Sequence, residues 1–317
     1  LPLPALLAER LPLPAIAAPM FLVSGPDLVV ETCRGGVLGT FPALNARTTE
    51  GYAGWLDDIA ARLAASPGAA PFGVNLIVHK SNVRLEADLK VTVAKQVPLV
   101  ITSLGAVRDV VDAVHAYGGL VFHDVVNARH ARKAAEAGVD GIIAVCAGAG
   151  GHAGTLSPFA LVSEIRRFYD KTIVLAGCLT GGAQIAAAQM MGADLGYFGT
   201  RFIATRESLA PEGYKQMLLA SAADDVVYTD AISGVNANFL KPSLVAGGLD
   251  PANLKKHGEL DMANEHKAWR DFWSAGQGVG GVGDVPPAGE LCARLAREYD
   301  AALGEAASLL AARLSRP

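Results

Sequence analysis

Aromatic residues make up only 6% of this chain and charged residues only 18%, and the formal net charge is a mere -4. No basic stripe stands out from that weak and even charge, so nucleic acid is not an expected partner. Cysteine is also scarce. Cys33, Cys146, Cys178 and Cys292 are far apart and form no Cys-x-x-Cys pair, which leaves neither a zinc-ligand spacing nor a disulfide framework. No metal site is expected. Cys146 and Cys178 fall at or just past strand ends and read as small buried hydrophobes. A reducing cytoplasm is the expected compartment. No uncharged apolar run reaches the length of a membrane span. Leu1 to Arg10 is apolar, but Pro2, Pro4 and Glu9 interrupt it, and it has no basic n-region or clear cleavage pattern. The absence of an initiator Met suggests a trimmed start.

Apolar residues are plentiful at 51%, and there are 35 glycines. Apolar runs of strand length alternate with helix-like runs as far as about residue 205. The strand runs are Ala15–Pro19, Gly36–Thr40, Phe72–Ile77, Leu99–Thr102, Leu120–His123, Gly141–Val145, Ile173–Ala176 and Leu195–Phe198. They are continuous rather than alternating, as expected for strands buried on both faces. Between them lie helical patterns near Asp27–Cys33, Thr49–Ala65, Leu85–Val93, Val107–Tyr117, Ala128–Ala137, Pro158–Tyr169 and Ala183–Met191, with a short helix from Thr200. Gly138 is placed to stop one helix, and Ser157-Pro158 to start another with Ser as the cap. Eight β–α pairs in succession argue for an α/β fold, a (β/α)8 TIM barrel, over an open doubly wound sheet. Residues 1–205 are the expected barrel and 206–317 a helical extension. Within the extension, Pro211–Ala223, Asn264–Ala275 and Gly289–Ala312 read as helices and Thr229–Asn264 as loop-rich. The extension reads either as a lid on the barrel's C-terminal face, with its last helix able to return to the barrel, or as an arm that joins two copies in a homodimer.

Three strand runs end in glycine: Ile142 to Val145 leads into Ala147-Gly-Ala-Gly-Gly-His-Ala-Gly154, and the others end at Gly177 and Gly199. Glycines let a backbone approach a flat ligand closely. His152 lies in the first loop, after the sixth strand, where a barrel enzyme places its chemistry. An imidazole there can take or give a proton near neutral pH. His123, beside Asp124, is the next candidate, and His79, His115, His130, His257 and His266 read as surface or structural. Gly148, Gly150 and Ala153 match a dinucleotide fingerprint on paper, as do Gly276, Gly278 and Gly281. Neither glycine set opens a helix from a strand, so both are rejected. Gly177 with Thr180-Gly181-Gly182, and Gly199-Thr200, sit in the two loops where barrels bind phosphate. Asn75 places an amide inside a buried run, where it bonds either neighbouring strands or a ligand. Met20, at the end of the first strand, could pack on a flat ring.

Ala18-Pro-Met20 with Gly35-Gly36, Pro71-Phe-Gly-Val-Asn75, Ala149-Gly-Gly-His-Ala-Gly154, Gly199-Thr-Arg-Phe202 and Gly276-Gln-Gly-Val-Gly280 together resemble the nitronate monooxygenase family, formerly the 2-nitropropane dioxygenases. The resemblance runs over about residues 12–205 and continues into the tail. It implies a flavoprotein TIM barrel that binds FMN, with His152 as the catalytic base. The cofactor residues it leads us to expect are Met20, Asn75, Asp124, Gly151, Gly177, Gly199 and Thr200, with Gln277 and Gly278 closing over the flavin. The expected partners are a small nitro compound and O2, with nitrite and a carbonyl compound as products. The alternative is an NAD(P)H-dependent reductase of quinones or enoyl thioesters on the same barrel.

Overall fold

All eight expected strand runs pair into one closed parallel barrel in the computed structural model, which describes residues 2–105, 108–255 and 268–315. Its strands are β1 (Ala15–Ala17), β2 (Leu38–Pro42), β3 (Phe72–Ile77), β4 (Leu99–Ser103), β5 (Leu120–Val125), β6 (Gly141–Val145), β8 (Thr172–Ala176) and β9 (Leu195–Phe198). A two-residue strand outside the barrel, Gly151–His152, is β7. Ile16 lies opposite Leu38 on one side of β1, and Ala17 opposite Phe198 on the other, which closes the ring. Side chains such as Ile16, Phe41, Val100, Phe122 and Phe198 are fully buried because the strands carry packing on both faces. β2 starts two residues later than expected. Gly36 takes a left-handed φ of +83° in the turn before it, so the extended run starts only beyond it.

Helices cover the barrel at the expected places. Asn127 accepts the His130 N–H and caps Ala128–Ala137, and Gly138 ends that helix at φ +92°. Ser157 precedes Pro158 as expected, but its side chain makes no capping hydrogen bond. Val107, the expected first residue of one helix, lies outside the described residues, and the helix runs Arg108–His115.

The tail adds strands that the periodicity did not reveal. β10 (Val226–Thr229) pairs antiparallel with β11 (Ala237–Leu240), and β11 pairs with β7, placing Ala237 opposite His152. Helix Lys241–Ala246 follows, inside the stretch that reads as loop-rich. Of the expected helix Asn264–Ala275, residues 264–267 lie outside the described residues, and 268–271 are helical. Among the tail histidines, His257 and His266 also lie outside them. The last helix, Ala288–Leu314, lies against the helices Gly182–Met190 and Pro26–Arg34 of the barrel. Ala288, Leu291, Cys292 and Leu295 recur at helical spacing and are fully buried in the barrel's core, whereas Leu309, Leu310 and Leu314 are exposed. No helix among the described residues is long and apolar enough to cross a membrane.

Candidate active site

The strand ends and the tail enclose a cavity of about 1010 Å³. Met20, Asn75, Asp124, Gly151, His152, Gly177, Gly199, Thr200 and Gly278 all line it, so the barrel brings most of the expected site together. His123 lines it as well. Gln277 does not: its side chain is exposed, and its N–H donates to the Gly148 carbonyl over 2.9 Å.

His152 is half-buried, with its ring edge-on to Trp269 at 5.3 Å between centroids. Trp269 in turn stacks on Phe239 of β11 at 5.1 Å. Nε2 of His152 lies 3.5 Å from the Ser233 hydroxyl. Burial pushes the imidazole down to about 4, because the charged form loses water without gaining a carboxylate. The ring is therefore neutral at pH 7. Its loop is held from the tail: Gly151 N–H donates to Ser274 Oγ at 2.7 Å, Asn238 Nδ2 to the Ala149 carbonyl at 2.6 Å, and the Tyr228 hydroxyl to the Ala153 carbonyl at 3.0 Å.

The glycines of this loop serve backbone packing as much as ligand approach. A Cβ on Gly148 would lie 2.4 Å from Cys178 Sγ, and one on Gly150 would lie 2.9 Å from Gly276 N. Gly276 N–H donates to Thr200 Oγ1 at 2.8 Å, and this bond pins the tail to the end of β9. Cys178 is exposed and takes a left-handed φ of +60°, so it is not the buried hydrophobe its position suggested. The chain must turn sharply there after Gly177, at φ +139°. Cys146 is buried as expected.

The expected phosphate cup is only partly free. Gly182 N–H donates to Glu298 Oε2 of the last helix at 2.7 Å, and Gly181 N–H donates to Gln184 Oε1 at 2.9 Å. A carboxylate already sits where the helix dipole would favour an anion. Thr180-Gly181-Gly182 therefore joins the tail to the barrel, and Gly177, Gly199 and Thr200 remain as the candidate anion wall. Arg201, next in the chain, turns away to pair with Asp284.

A polar line crosses the barrel mouth. Asn75 Nδ2 donates to the Ile101 carbonyl at 3.2 Å and to Ser103 Oγ at 2.8 Å, and Ser103 Oγ donates to Asp124 Oδ2 at 2.6 Å. Asn75 thus serves the neighbouring strand and the cavity wall at once. Asp124 Oδ1 is buried with no hydrogen-bond partner among the described residues. Burial pushes the Asp124 carboxyl up to about 6, against the lowering effect of Ser103, and the neighbouring Tyr197 phenol is held well above its usual range. His123 is pushed down to about 4 by burial and by the positive field of His130, and its Nδ1 is 2.8 Å from the Thr102 hydroxyl. Ser103, Tyr197, Ser233, Trp269 and Ser274 were not singled out from the sequence. Each is an ordinary residue in a strand or tail segment, and only the fold turns Ser103, Tyr197, Trp269 and Ser274 towards the cavity and Ser233 towards His152.

Asp124 should make stability depend on pH. Its folded value is raised from 3.8 to about 6, so its contribution is fully present below about pH 4 and is lost as pH rises through about 6. At pH 8 the charged, half-satisfied carboxylate destabilises the ligand-free protein by about 1–3 kcal/mol. Asp124→Asn removes that charge, so its melting temperature relative to the unsubstituted protein should be higher at pH 8 than at pH 5. An identical difference at both pH values would contradict the raised carboxyl.

A family model described as nitronate monooxygenase matches residues 7–298. A nitronate monooxygenase of Paraburkholderia phytofirmans is 30% identical over 75% of this chain and 76% of its own length. The (3aS,4S,5R,7aS)-5-hydroxy-7a-methyl-1-oxo-octahydro-1H-indene-4-carboxyl-CoA dehydrogenase of Rhodococcus jostii is 28% identical over 73% of this chain, which spans 64% of that relative's length. Among solved structures, a nitroalkane oxidase from Streptomyces ansochromogenes has a TM-score of 0.79 at 26% identity, covering 95% of this chain and 99% of that one.

Proposed function

The chain belongs to the nitronate monooxygenase family, a family of flavin-dependent oxidoreductases, and on that premise we propose that it oxidises nitroalkanes and nitronates to carbonyl compounds and nitrite with FMN and O2. The observation that carries this reading is His152, a neutral imidazole lining the cavity in β7, beyond the end of β6. The neutral form is the one that can accept a proton from the carbon bearing the nitro group. Trp269 packs edge-on against the ring, backed by Phe239, and helps exclude water from it.

The residues present fit FMN. The cavity volume lies at the upper end of the usual ligand range. A Cβ on Gly177 would press on the Ala147 carbonyl at 3.1 Å, so that wall stays flat, and the orphaned Asp124 Oδ1 awaits a donor. When bound, FMN supplies the electron-accepting ring. Gly177, Gly199 and Thr200 would hold its phosphate, and the Thr200 hydroxyl keeps its own proton to donate while accepting from Gly276. Met20, Asn75, Asp124 and Gly151 would line the ring, and Gln277 and Gly278 would hold the tail over it. With no dinucleotide fingerprint opening a helix from a strand, FMN is preferred to FAD. Four free thiols favour a reducing compartment, and we assign the protein to the cytoplasm.

A second reading, an NAD(P)H-dependent reductase, draws support from the Rhodococcus relative, which is named as a dehydrogenase of a CoA compound. Anaerobic titration of the yellow protein separates the two. A change in flavin absorbance with a nitronate and none with NADH or NADPH is expected. Rapid bleaching by NADH or NADPH, with no response to nitronates, would replace the first reading with the second.

A further inference from the structure

The cavity extends past the histidines to a rim that a small nitro compound does not need. Helix Ala128–Ala137 presents His130, Lys133, Ala134 and Ala137 to it, the i, i+3, i+4, i+7 stripe of one helical face. Arg108, at the start of the neighbouring helix, lines the same end, and its guanidinium donates to the Glu136 backbone carbonyl at 2.5 Å. Among the described residues neither Arg108 nor Lys133 forms an ion pair with a carboxylate. Among the described residues, Glu136, at the rim, and Asp124, inside, are the only acids in the cavity lining. The local field is positive in a chain whose net charge is -4. Burial and then the charges of Arg129 and Lys133 push the His130 imidazole down, and burial and then His130 push His123 down. Among the described residues no acid offsets either effect. An anion placed there would relieve that repulsion.

We infer that Arg108, His130 and Lys133 form a binding site for the phosphate-bearing end of an elongated ligand whose other end reaches the cavity at His152. A guanidinium offers forked donors to phosphate oxygens, and an ammonium adds a mobile point charge. Two sources share this chemistry: the nucleotide end of a CoA thioester substrate, and the phosphorylated end of a nicotinamide dinucleotide. The inference rests on the proposed active-site cavity but not on nitronate chemistry.

Equilibrium titration of the purified flavoprotein with CoA, pantetheine, NADPH and NADH tests it directly, with no turnover required. Ionic strength is set low, where the Debye length is about 30 Å, and then physiological, where it is about 8 Å. We expect CoA or NADPH to bind, pantetheine or NADH to bind more weakly, and salt to weaken the phosphorylated ligand. The double substitution Arg108→Gln with Lys133→Gln should weaken that ligand about tenfold at low salt. It should leave flavin absorbance and the response to nitronate unchanged. Binding of CoA alone identifies a thioester substrate, and binding of NADPH alone identifies a reductant. If the double variant binds both as well as the unsubstituted protein does, or if neither titrates at millimolar concentration, the rim is not a phosphate site. A protein that binds CoA but ignores nitronates would keep the rim and lose the nitronate reading.

Discussion

His152→Asn is expected to lower kcat/KM for a neutral nitroalkane by about 10²–10⁴-fold, the range a positioned base contributes. A preformed nitronate has already lost the proton in question, so the variant should keep much of its activity on that form. Asparagine preserves polarity and approximate size, and β7 keeps its pairing to β11 through backbone bonds. Flavin content must match the unsubstituted protein before rates are compared. The acid limb of the nitroalkane profile carries a second mark. Burial brings His152 to about 4, so protonation of this base should depress kcat/KM only near that pH and not near the 6.5 of a free imidazole. A limb near 6 would instead report Asp124, and Asp124→Asn would remove it. Equal large losses on nitroalkane and nitronate would mean that His152 binds the nitro group or tunes the flavin. Full activity on both would move attention to His123, which also lines the cavity.

Leu295→Ala is expected to destabilise the whole protein by about 2–5 kcal/mol. Leu295 is fully buried in the barrel's own core, although it lies far into the tail. Its backbone is just as constrained, because a Cβ on Gly182 would lie 2.0 Å from the Leu295 carbonyl oxygen. Three residues on, Glu298 accepts the Gly182 N–H at 2.7 Å. The last helix therefore acts as an outer helix of the barrel and not as a separate lid. Denaturant unfolding should give one transition that shifts as a unit, while Leu309→Ala, at an exposed site on the same helix, should change stability little. A barrel transition unmoved by Leu295→Ala would mean that the helix is a separable appendage.

The order of eight strands, the helices between them, and the placing of His152, Gly177 and Gly199 at strand ends were legible from the sequence, because each depends on short-range pattern. A strand buried on both faces must be continuously apolar, and a helix must stop before the next strand begins. His152 was marked by its own neighbours: an apolar run, then glycines, then one imidazole.

Tertiary structure decided what those groups meet. Ala237–Leu240 is a strand because β7 and β10 lie on either side of it, and four residues carry too little periodicity to announce that. The glycines at 148 and 150 look like ligand loops in sequence, yet a Cβ at 148 would meet Cys178 and one at 150 would meet the backbone of Gly276, more than a hundred residues away. The amides at Gly181 and Gly182 look free, yet Gln184 and Glu298 occupy them. The acidity of Asp124 and the neutrality of His152 follow from burial, which no local pattern encodes. Sequence determined which residues stand at the barrel's mouth, because that depends on chain order. The fold alone determined which hydrogen bonds and charges they keep available for a ligand, because that depends on neighbours distant in the chain.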